Sequence, residues 1–285
     1  MRNSAEPSGR RRGSGPRPGK LGKILVTAAI VVAALGGLAV PATAANAKKG
    51  VSAASFSGVT SALSDVGAKW FYTWASDKQG ITAPAGTEFV PMIWGSGSVT
   101  PAQLAQAKAN GTTLLAFNEP DLAGQASMSV DTALNLWPQL QNTGMRLSAP
   151  AVAYGGDVAG GWLDRFMSGA KARGYRVDFI PLHWYGGDFS TAAAGQLQSY
   201  VQAVRNRYHL PVWVTEYALI DFSGTTPRYP SPAQQADFVS RSTAMLNGLS
   251  FVERYAWFSL STSTTRTGLY TGTTPNASGV AYRAA

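Results

Sequence analysis

Residues 114–121 read LLAFNEPD, an apolar run that is followed at once by the polar residues NEPD. A strand with one face in water alternates apolar and polar residues, whereas a parallel strand covered on both faces is apolar throughout. The run therefore predicts a central strand of a parallel sheet. Glu119 then lies at the carboxyl end of that strand, where α/β proteins commonly place functional groups.

Eight runs of apolar or β-branched residues recur along the chain, and most of the segments between them have the pattern of helices. Alternation of strands and helices is typical of βα units and a parallel sheet rather than of a β-sandwich. The eight predicted strands occupy residues 50–55, 69–74, 88–94, 112–118, 145–152, 176–185, 211–217 and 253–259.

Two of the predicted helices have clear start and stop signals. The first begins with Thr100 as the capping residue and Pro101 at the first helical position, and it closes at Gly111. The second repeats this arrangement with SP at residues 231–232 and closes at Gly248. Proline at the start and glycine at the end of a helix are the expected asymmetry.

Eight βα units predict an α/β fold of the (β/α)8 barrel type, with a single domain over residues 48–285. A doubly wound open sheet is the alternative fold, but no G-x-G-x-x-G motif follows an early strand. In a barrel the carboxyl ends of all strands meet at one rim, and active sites lie there. Glu119 is therefore predicted to lie at the functional rim.

The first 47 residues have the composition of an export signal. Residues 1–23 carry seven basic side chains and one acidic one, an apolar run fills residues 24–40, and small residues follow. This order is typical of a cleaved secretory signal peptide, so we expect a secreted protein that begins near residue 48. The alternatives are an uncleaved transmembrane helix and, because of the arginines at residues 10–12, a twin-arginine signal.

The positive charge of the chain resides mainly in this amino-terminal segment. The formal net charge is +9 for the whole chain but only +3 for residues 48–285. Charge therefore does not predict binding to nucleic acid, and we expect a monomer without membrane contact after cleavage.

Other common chemistries find little support in the sequence. There is no cysteine, and the two histidines are His183 and His209, so we expect neither a metal site nor a cofactor. The serine-hydrolase, phosphate-binding and zinc-protease motifs (G-x-S-x-G, G-x-x-x-x-G-K-[ST] and H-E-x-x-H) are absent from the sequence as well.

Glutamate is scarce in residues 48–285, which contain only four. Glu119 and Glu216 end the fourth and seventh predicted strands, whereas Glu88 and Glu253 begin strands and belong to the opposite rim. Two carboxyl groups on one rim can face each other across a sugar ring. Glycoside hydrolysis requires such a pair, with one group protonated and the other ionised. The alternative is that each is an ordinary solvated glutamate.

Polar and aromatic residues cluster at the same predicted strand ends. Asn118 is placed to donate a hydrogen bond to a sugar hydroxyl, although an asparagine here can also satisfy turn backbone. Tryptophan rings can stack on pyranose faces or simply pack the barrel. The residues expected to contact a substrate are Trp74, Trp94, Asn118, His183, Trp184, Tyr185, Tyr217 and Trp257.

An ordered set of motifs resembles glycoside hydrolase family 128, the β-1,3-glucanases of clan A with a glycosyl hydrolase catalytic core. The motifs are KWFYTW, FVPMIWG, FNEPD, LSAPAV, GWLDRF, LHWYGG, VWVTEYAL and ERYAWF, and the similarity extends from about residue 51 to residue 270.

This resemblance implies a retaining mechanism on a (β/α)8 barrel, with Glu119 as acid/base and Glu216 as nucleophile. It also implies β-glucan as the partner. In the clan, a group at the end of the sixth strand often hydrogen-bonds the nucleophile, and both His183 and Tyr185 are candidates. A hydrolase of another polysaccharide and a non-catalytic glucan-binding barrel remain as alternatives.

Overall fold

The computed structural model describes residues 47–285, so all but the last residue of the predicted signal segment lies outside the described residues. Within that part of the chain, no helix has the length and apolar character needed to span a membrane. The strands are β1 (Lys49–Ser52), β2 (Trp70–Tyr72), β3 (Glu88–Phe89), β4 (Met92–Ile93), β5 (Thr113–Asn118), β6 (Arg146–Ala151), β7 (Ile180–Gly186), β8 (Val212–Leu219), β9 (Val252–Trp257), β10 (Tyr270–Thr271) and β11 (Thr274–Pro275).

The parallel strands close into a barrel. One run has the order β3-β2-β1-β9-β8-β7 and the other has the order β4-β5-β6, while a parallel bridge from Ser148 to Phe179 joins β6 to the start of β7. Strands β3 and β4 are two halves of one barrel strand. The eight predicted strands and the (β/α)8 barrel are therefore confirmed. Strands β10 and β11 form a separate antiparallel pair.

The third barrel strand is divided at Pro91, which has no N–H to give to a neighbouring strand. Before the proline, Val90 N donates to Phe71 O on β2 at 2.9 Å. After it, Leu115 N on β5 donates to Pro91 O at 3.0 Å. The strand thus changes pairing partner at the proline, which explains why one predicted strand appears as two short segments.

Helices follow most of the strands: α1 (Val59–Asp65), α2 (Pro101–Asn110), α3 (Val130–Gln141), α4 (Trp162–Ala172), α5 (Ala193–Tyr208), α6 (Pro232–Gly248) and α7 (Ala277–Ala284). The predicted caps are confirmed, since Thr100 accepts from Gln103 N and Ser231 forms a reciprocal capping box with Gln234. Two details differ from the prediction. Gly248 is the last residue of α6 with Leu249 as its cap, and residues 73–87 connect β2 to β3 without a helix.

The two remaining glutamates lie at strand beginnings, as expected. Glu88 pairs with Arg254 at 2.6 Å, and Glu253 pairs with Arg146 at 2.6 Å and accepts from the Trp213 indole at 2.8 Å. These contacts hold together the amino-terminal rim of the barrel, which is the rim that stabilises such folds.

Candidate active site

A cavity of about 940 Å³ opens at the carboxyl ends of the strands. Its walls include most of the residues that the sequence singled out. The predicted residues that line it are Trp74, Trp94, Asn118, Glu119, His183, Trp184, Tyr185 and Glu216. The structure thus brings these predicted residues together around one cavity.

Glu216 lies within β8, is only 4% exposed, and is held by three hydrogen-bond donors. The Tyr72 hydroxyl and the Trp74 indole N–H donate to Oε1 at 3.0 and 2.8 Å, and the Tyr185 hydroxyl donates to Oε2. A carboxylate accepts but does not donate, so three donors fix its orientation. Burial, followed by the charge of Glu216, raises the pKa of both tyrosines well above the ordinary value, which keeps their hydroxyls as donors.

Glu119 directly follows β5 and is 7% exposed. The backbone turns sharply here, because Phe117 has φ 45° and Glu119 has φ 46°. The register of β5 on β6 shifts twice in this segment, and Glu119 N donates to Ala151 O at 2.7 Å. A left-handed conformation of a residue other than glycine costs on the order of 1–3 kcal/mol and is typically found at functional sites.

His183 lies between the two glutamates and is 2% exposed. Its Nδ1 is 2.9 Å from Oε1 of Glu119, and its Nε2 is 3.7 Å from Oε1 of Glu216. A shift in strand register after Leu182 brings His183 opposite Glu216. Of the two candidates for a hydrogen bond to Glu216, Tyr185 makes it, whereas His183 bonds the other carboxyl group.

Burial lowers the pKa of His183, but the neighbouring carboxyl groups of Glu216 and Glu119 outweigh it, so that the net pKa is raised. One oxygen of each glutamate and one ring nitrogen of His183 lie within 4.8 Å of one another. Three such atoms can in principle share a cation. Oε1 of Glu119 and Oε1 of Glu216, however, already have hydrogen-bond partners in His183, Tyr72 and Trp74. We therefore interpret the cluster as a hydrogen-bonded network rather than a metal site.

Asn118 is 4% exposed and lines the cavity beside Glu119. Its Nδ2 donates to Gln125 Oε1 at 3.3 Å, and its buried Oδ1 has no partner among residues 47–285. Gln125, which the sequence did not single out, therefore fixes the amide. A hydrogen bond from Asn118 to a sugar hydroxyl remains a prediction.

Two of the aromatic residues expected to contact a substrate lie outside the cavity, and this expectation is wrong for them. Tyr217 and Trp257 are 0% exposed, and their rings pack against each other with centroids 5.1 Å apart. The Trp257 indole N–H donates to Thr267 O at 2.8 Å. Neighbouring residues of a strand point to opposite faces, so Tyr217 points away from the cavity that Glu216 faces. Trp184 lines the cavity, but its ring stacks on Phe238 of α6.

Aromatic side chains that the sequence analysis did not name also line the cavity. Phe258 lines the cavity directly after β9 and meets the rings of Trp74 and Tyr185 edge-on. Tyr154 and Phe222 stand at the cavity with 65% and 48% exposure. Phe258 is adjacent to the predicted Trp257, so the prediction is wrong by one residue. Tyr72, the last residue of β2, was also missed, although its ring meets that of Trp74 edge-on with centroids 5.3 Å apart.

Known proteins resemble the chain along its described length. A family model described as the glycosyl hydrolase catalytic core matches residues 50–282. One solved structure is a subgroup I endo-β-1,3-glucanase of glycoside hydrolase family 128 from Amycolatopsis mediterranei, in complex with laminaritriose. It is 85% identical in sequence and superposes with a TM-score of 0.83. The match covers 84% of this chain and 99% of that chain. A subgroup II endo-β-1,3-glucanase from Sorangium cellulosum is 27% identical with a TM-score of 0.70, covering 83% and 97%.

A curated relative, alkali-sensitive linkage protein 1 of Schizosaccharomyces pombe, is 32% identical over 203 residues. The match covers 69% of this chain but 35% of that protein, so the chain spans about a third of the length of this relative. The family model and the solved structures agree with the barrel and with the ordered motifs. The chain therefore belongs to the glycosyl hydrolase catalytic core family and, within it, to glycoside hydrolase family 128.

Proposed function

We propose that this protein is a β-1,3-glucanase that cleaves glucans within the chain and retains the anomeric configuration. The similar enzyme from Amycolatopsis mediterranei, described as an endo-β-1,3-glucanase, has been solved with laminaritriose, laminaripentaose and laminarihexaose. Identity of 84–85% over 99% of that chain supports the same substrate class and the same internal attack here.

The observation that carries the mechanism is the short distance between the two glutamates. One oxygen of Glu119 and one oxygen of Glu216 lie within 4.8 Å of each other. Retaining glycosidases separate their two carboxyl groups by about 5–5.5 Å, whereas inverting enzymes leave about 6.5–9.5 Å for a water molecule. Oxygens this close are compatible with the retaining separation, which supports direct attack by a carboxylate and a covalent intermediate.

In this proposal Glu216 is the nucleophile, because its three donors orient it and Glu119 can then protonate the leaving oxygen. Glu216 bonds the anomeric carbon as the glycosidic bond breaks, and the proton of Glu119 goes to the departing sugar. Glu119 next takes a proton from water, which attacks the anomeric carbon and releases Glu216. Solved variants of the Amycolatopsis mediterranei enzyme replace two glutamates, and the interval between them equals that between Glu119 and Glu216.

Digestion of defined glucans tests this function. We expect laminarin-type oligosaccharides to be cleaved internally, with β-anomers formed first, as an early proton NMR spectrum of the products would show. Matched β-1,4-gluco-oligosaccharides of equal length should give a much lower kcat/KM. Faster cleavage of the β-1,4 series would indicate a hydrolase of another polysaccharide. Binding of laminari-oligosaccharides without turnover would indicate a non-catalytic barrel.

Replacing Trp94 or Trp257 by alanine should have different effects, because Trp94 lines the cavity and Trp257 belongs to the core. Trp94 lines the cavity, and loss of one stacked ring, worth on the order of 1 kcal/mol, should raise KM by about tenfold or less. Trp257 is wholly buried, and its loss should lower the free energy of unfolding by about 3–5 kcal/mol. Kinetics at a temperature where both variants are folded, together with thermal unfolding, measure the two effects. A large KM change for Trp257→Ala without loss of stability would contradict this assignment.

We also propose that the protein is exported and that its catalytic domain comprises residues 48–285. This rests on the basic, apolar and small-residue order of residues 1–47. Amino-terminal sequencing of protein recovered from the medium tests it, since a sequence that still includes residues 24–40 would contradict cleavage.

A further inference from the structure

We propose that Asp121 is a positioning residue that keeps the acid Glu119 in place by accepting hydrogen bonds from the loop after β6. The proposal rests on the acid/base role proposed above for Glu119. The observation that carries it is a pair of contacts to consecutive backbone groups. Ala153 N donates to Oδ1 of Asp121 at 2.8 Å, and Tyr154 N donates to Oδ2 at 3.1 Å.

Glu119 needs such support because its backbone is held in an unfavourable conformation. Its φ of 46° lies in the left-handed region, and it precedes Pro120, whose ring further restricts the residue before it. Strain of this kind persists only where surrounding contacts fix the chain. Leu122 N donates to Glu119 O at 3.1 Å, and Met128 N donates to Pro120 O at 2.8 Å. The turn that carries the carboxyl group is therefore fixed by its contacts and not by its own preference.

Asp121 adds a connection from this turn to the neighbouring strand. Glu119 N donates to Ala151 O at the end of β6, and the carboxylate of Asp121 continues this pairing beyond the strand, to residues 153 and 154. Pro120 stands between the two acidic residues, and its ring locks φ. A displacement of Asp121 is therefore transmitted to Glu119 across one rigid residue.

The chemistry of the side chain fits this role. A carboxylate has two acceptor oxygens, and each oxygen of Asp121 accepts from one of the two N–H groups. Among residues 47–285, neither N–H has another acceptor. Asp121 does not line the cavity, whereas Ala153 and Tyr154 do. Asp121 thus acts on the reaction through neighbouring groups and not by contact with the sugar.

The same carboxylate also holds Tyr154, whose side chain is 65% exposed at the cavity. A loss of activity in an Asp121 variant can therefore arise from a displaced cavity wall as well as from a displaced acid. The two causes differ in their chemistry. A displaced acid slows only those cleavages that need protonation, whereas a displaced wall weakens all substrates that touch it, whatever their leaving group.

Aryl β-laminaribiosides with phenolate and dinitrophenolate leaving groups test this difference, because they present the same sugars but differ in their need for an acid. For Asp121→Ala, kcat/KM should fall by about tenfold to a hundredfold on the phenyl compound, as expected for a misplaced catalytic group. It should fall by less than about threefold on the dinitrophenyl compound. Asp121→Asn keeps the size and one acceptor, so it should show a smaller loss with the same dependence, and it carries the test if the alanine variant does not fold. Equal losses on both compounds, or no loss on either, would overturn the proposal.

Asp178→Ala is the matched control, because Asp178 accepts from Leu147 N at 2.7 Å near the opposite end of β6. At a temperature where this variant is folded, both rates should stay close to those of the wild type.

A double-mutant cycle isolates the effect on Glu119. In a Glu119→Ala background no acid remains to be positioned, so adding Asp121→Ala should change the residual rate on the phenyl compound by less than about threefold. Losses that multiply in full would overturn the proposal, because they would show that Asp121 acts independently of Glu119. A folded wild type that cleaves neither compound nor laminari-oligosaccharides would instead remove the proposed function, and this role with it.

Discussion

Glu216→Gln is expected to reduce kcat/KM on β-1,3-glucan by about four powers of ten or more, with little change in the fold. Glutamine has the size of glutamate, and its carbonyl oxygen can still accept from Tyr72 and Trp74, so the buried network survives. What is lost is the group that we propose bonds the anomeric carbon. Removal of a catalytic nucleophile commonly costs this much, equivalent to about 5 kcal/mol or more in the transition state.

Three measurements make the result decisive. Thermal unfolding should give a melting temperature at or above that of the wild type, because the variant removes a buried charge without leaving a cavity. Laminari-oligosaccharides should still bind, since the cavity is unchanged. Glu88→Gln is the matched control, because this glutamate lies at the opposite rim and should leave activity intact. A folded Glu216→Gln enzyme with near wild-type turnover would exclude Glu216 as the nucleophile.

Much of this site could be predicted because two independent patterns meet at Glu119 and Glu216. Fully apolar runs locate the strands, and a polar residue at the end of a run marks the functional rim. The scarcity of glutamate then singles out the pair. Alternation along a strand carries further information that the sequence prediction did not use. Since Glu216 faces the cavity, Tyr217 must point the other way.

The remainder depends on register, which no local pattern specifies. The pairing of β8 with β9 shifts between Val214 and Tyr217, and Phe258, the residue after β9, lines the cavity whereas Trp257 does not. The shift of β7 on β8 likewise decides that His183 meets both carboxyl groups. Such bulges are set by packing between distant segments, and they redirect side chains near active sites.

Glu119→Ala is the second substitution with a large expected effect. On β-1,3-glucan, kcat should fall by about three powers of ten or more, because the poor leaving group then departs unprotonated. On an aryl β-laminaribioside with a dinitrophenolate leaving group, the first step needs no acid and should remain fast. The glycosyl-enzyme on Glu216 should then accumulate, since no group activates water. The alkaline limb of the pH profile, which reports the acid, should disappear on this substrate.

Azide distinguishes the two glutamates by stereochemistry. In Glu119→Ala, azide needs no base and enters the space left by the missing carboxyl group, so it should attack the α-linked glycosyl-enzyme and release a β-glycosyl azide at a restored rate. In Glu216→Ala, azide can only replace the nucleophile itself, attacking the β-glycoside from the opposite face to give an α-glycosyl azide. NMR of the products distinguishes the α-glycosyl azide from the β-glycosyl azide. An α-azide from Glu119→Ala would exchange the two roles. Absence of rescue in a folded Glu119→Ala protein would argue against an acid/base at this position, because an anionic nucleophile needs no general base and should intercept the stalled glycosyl-enzyme.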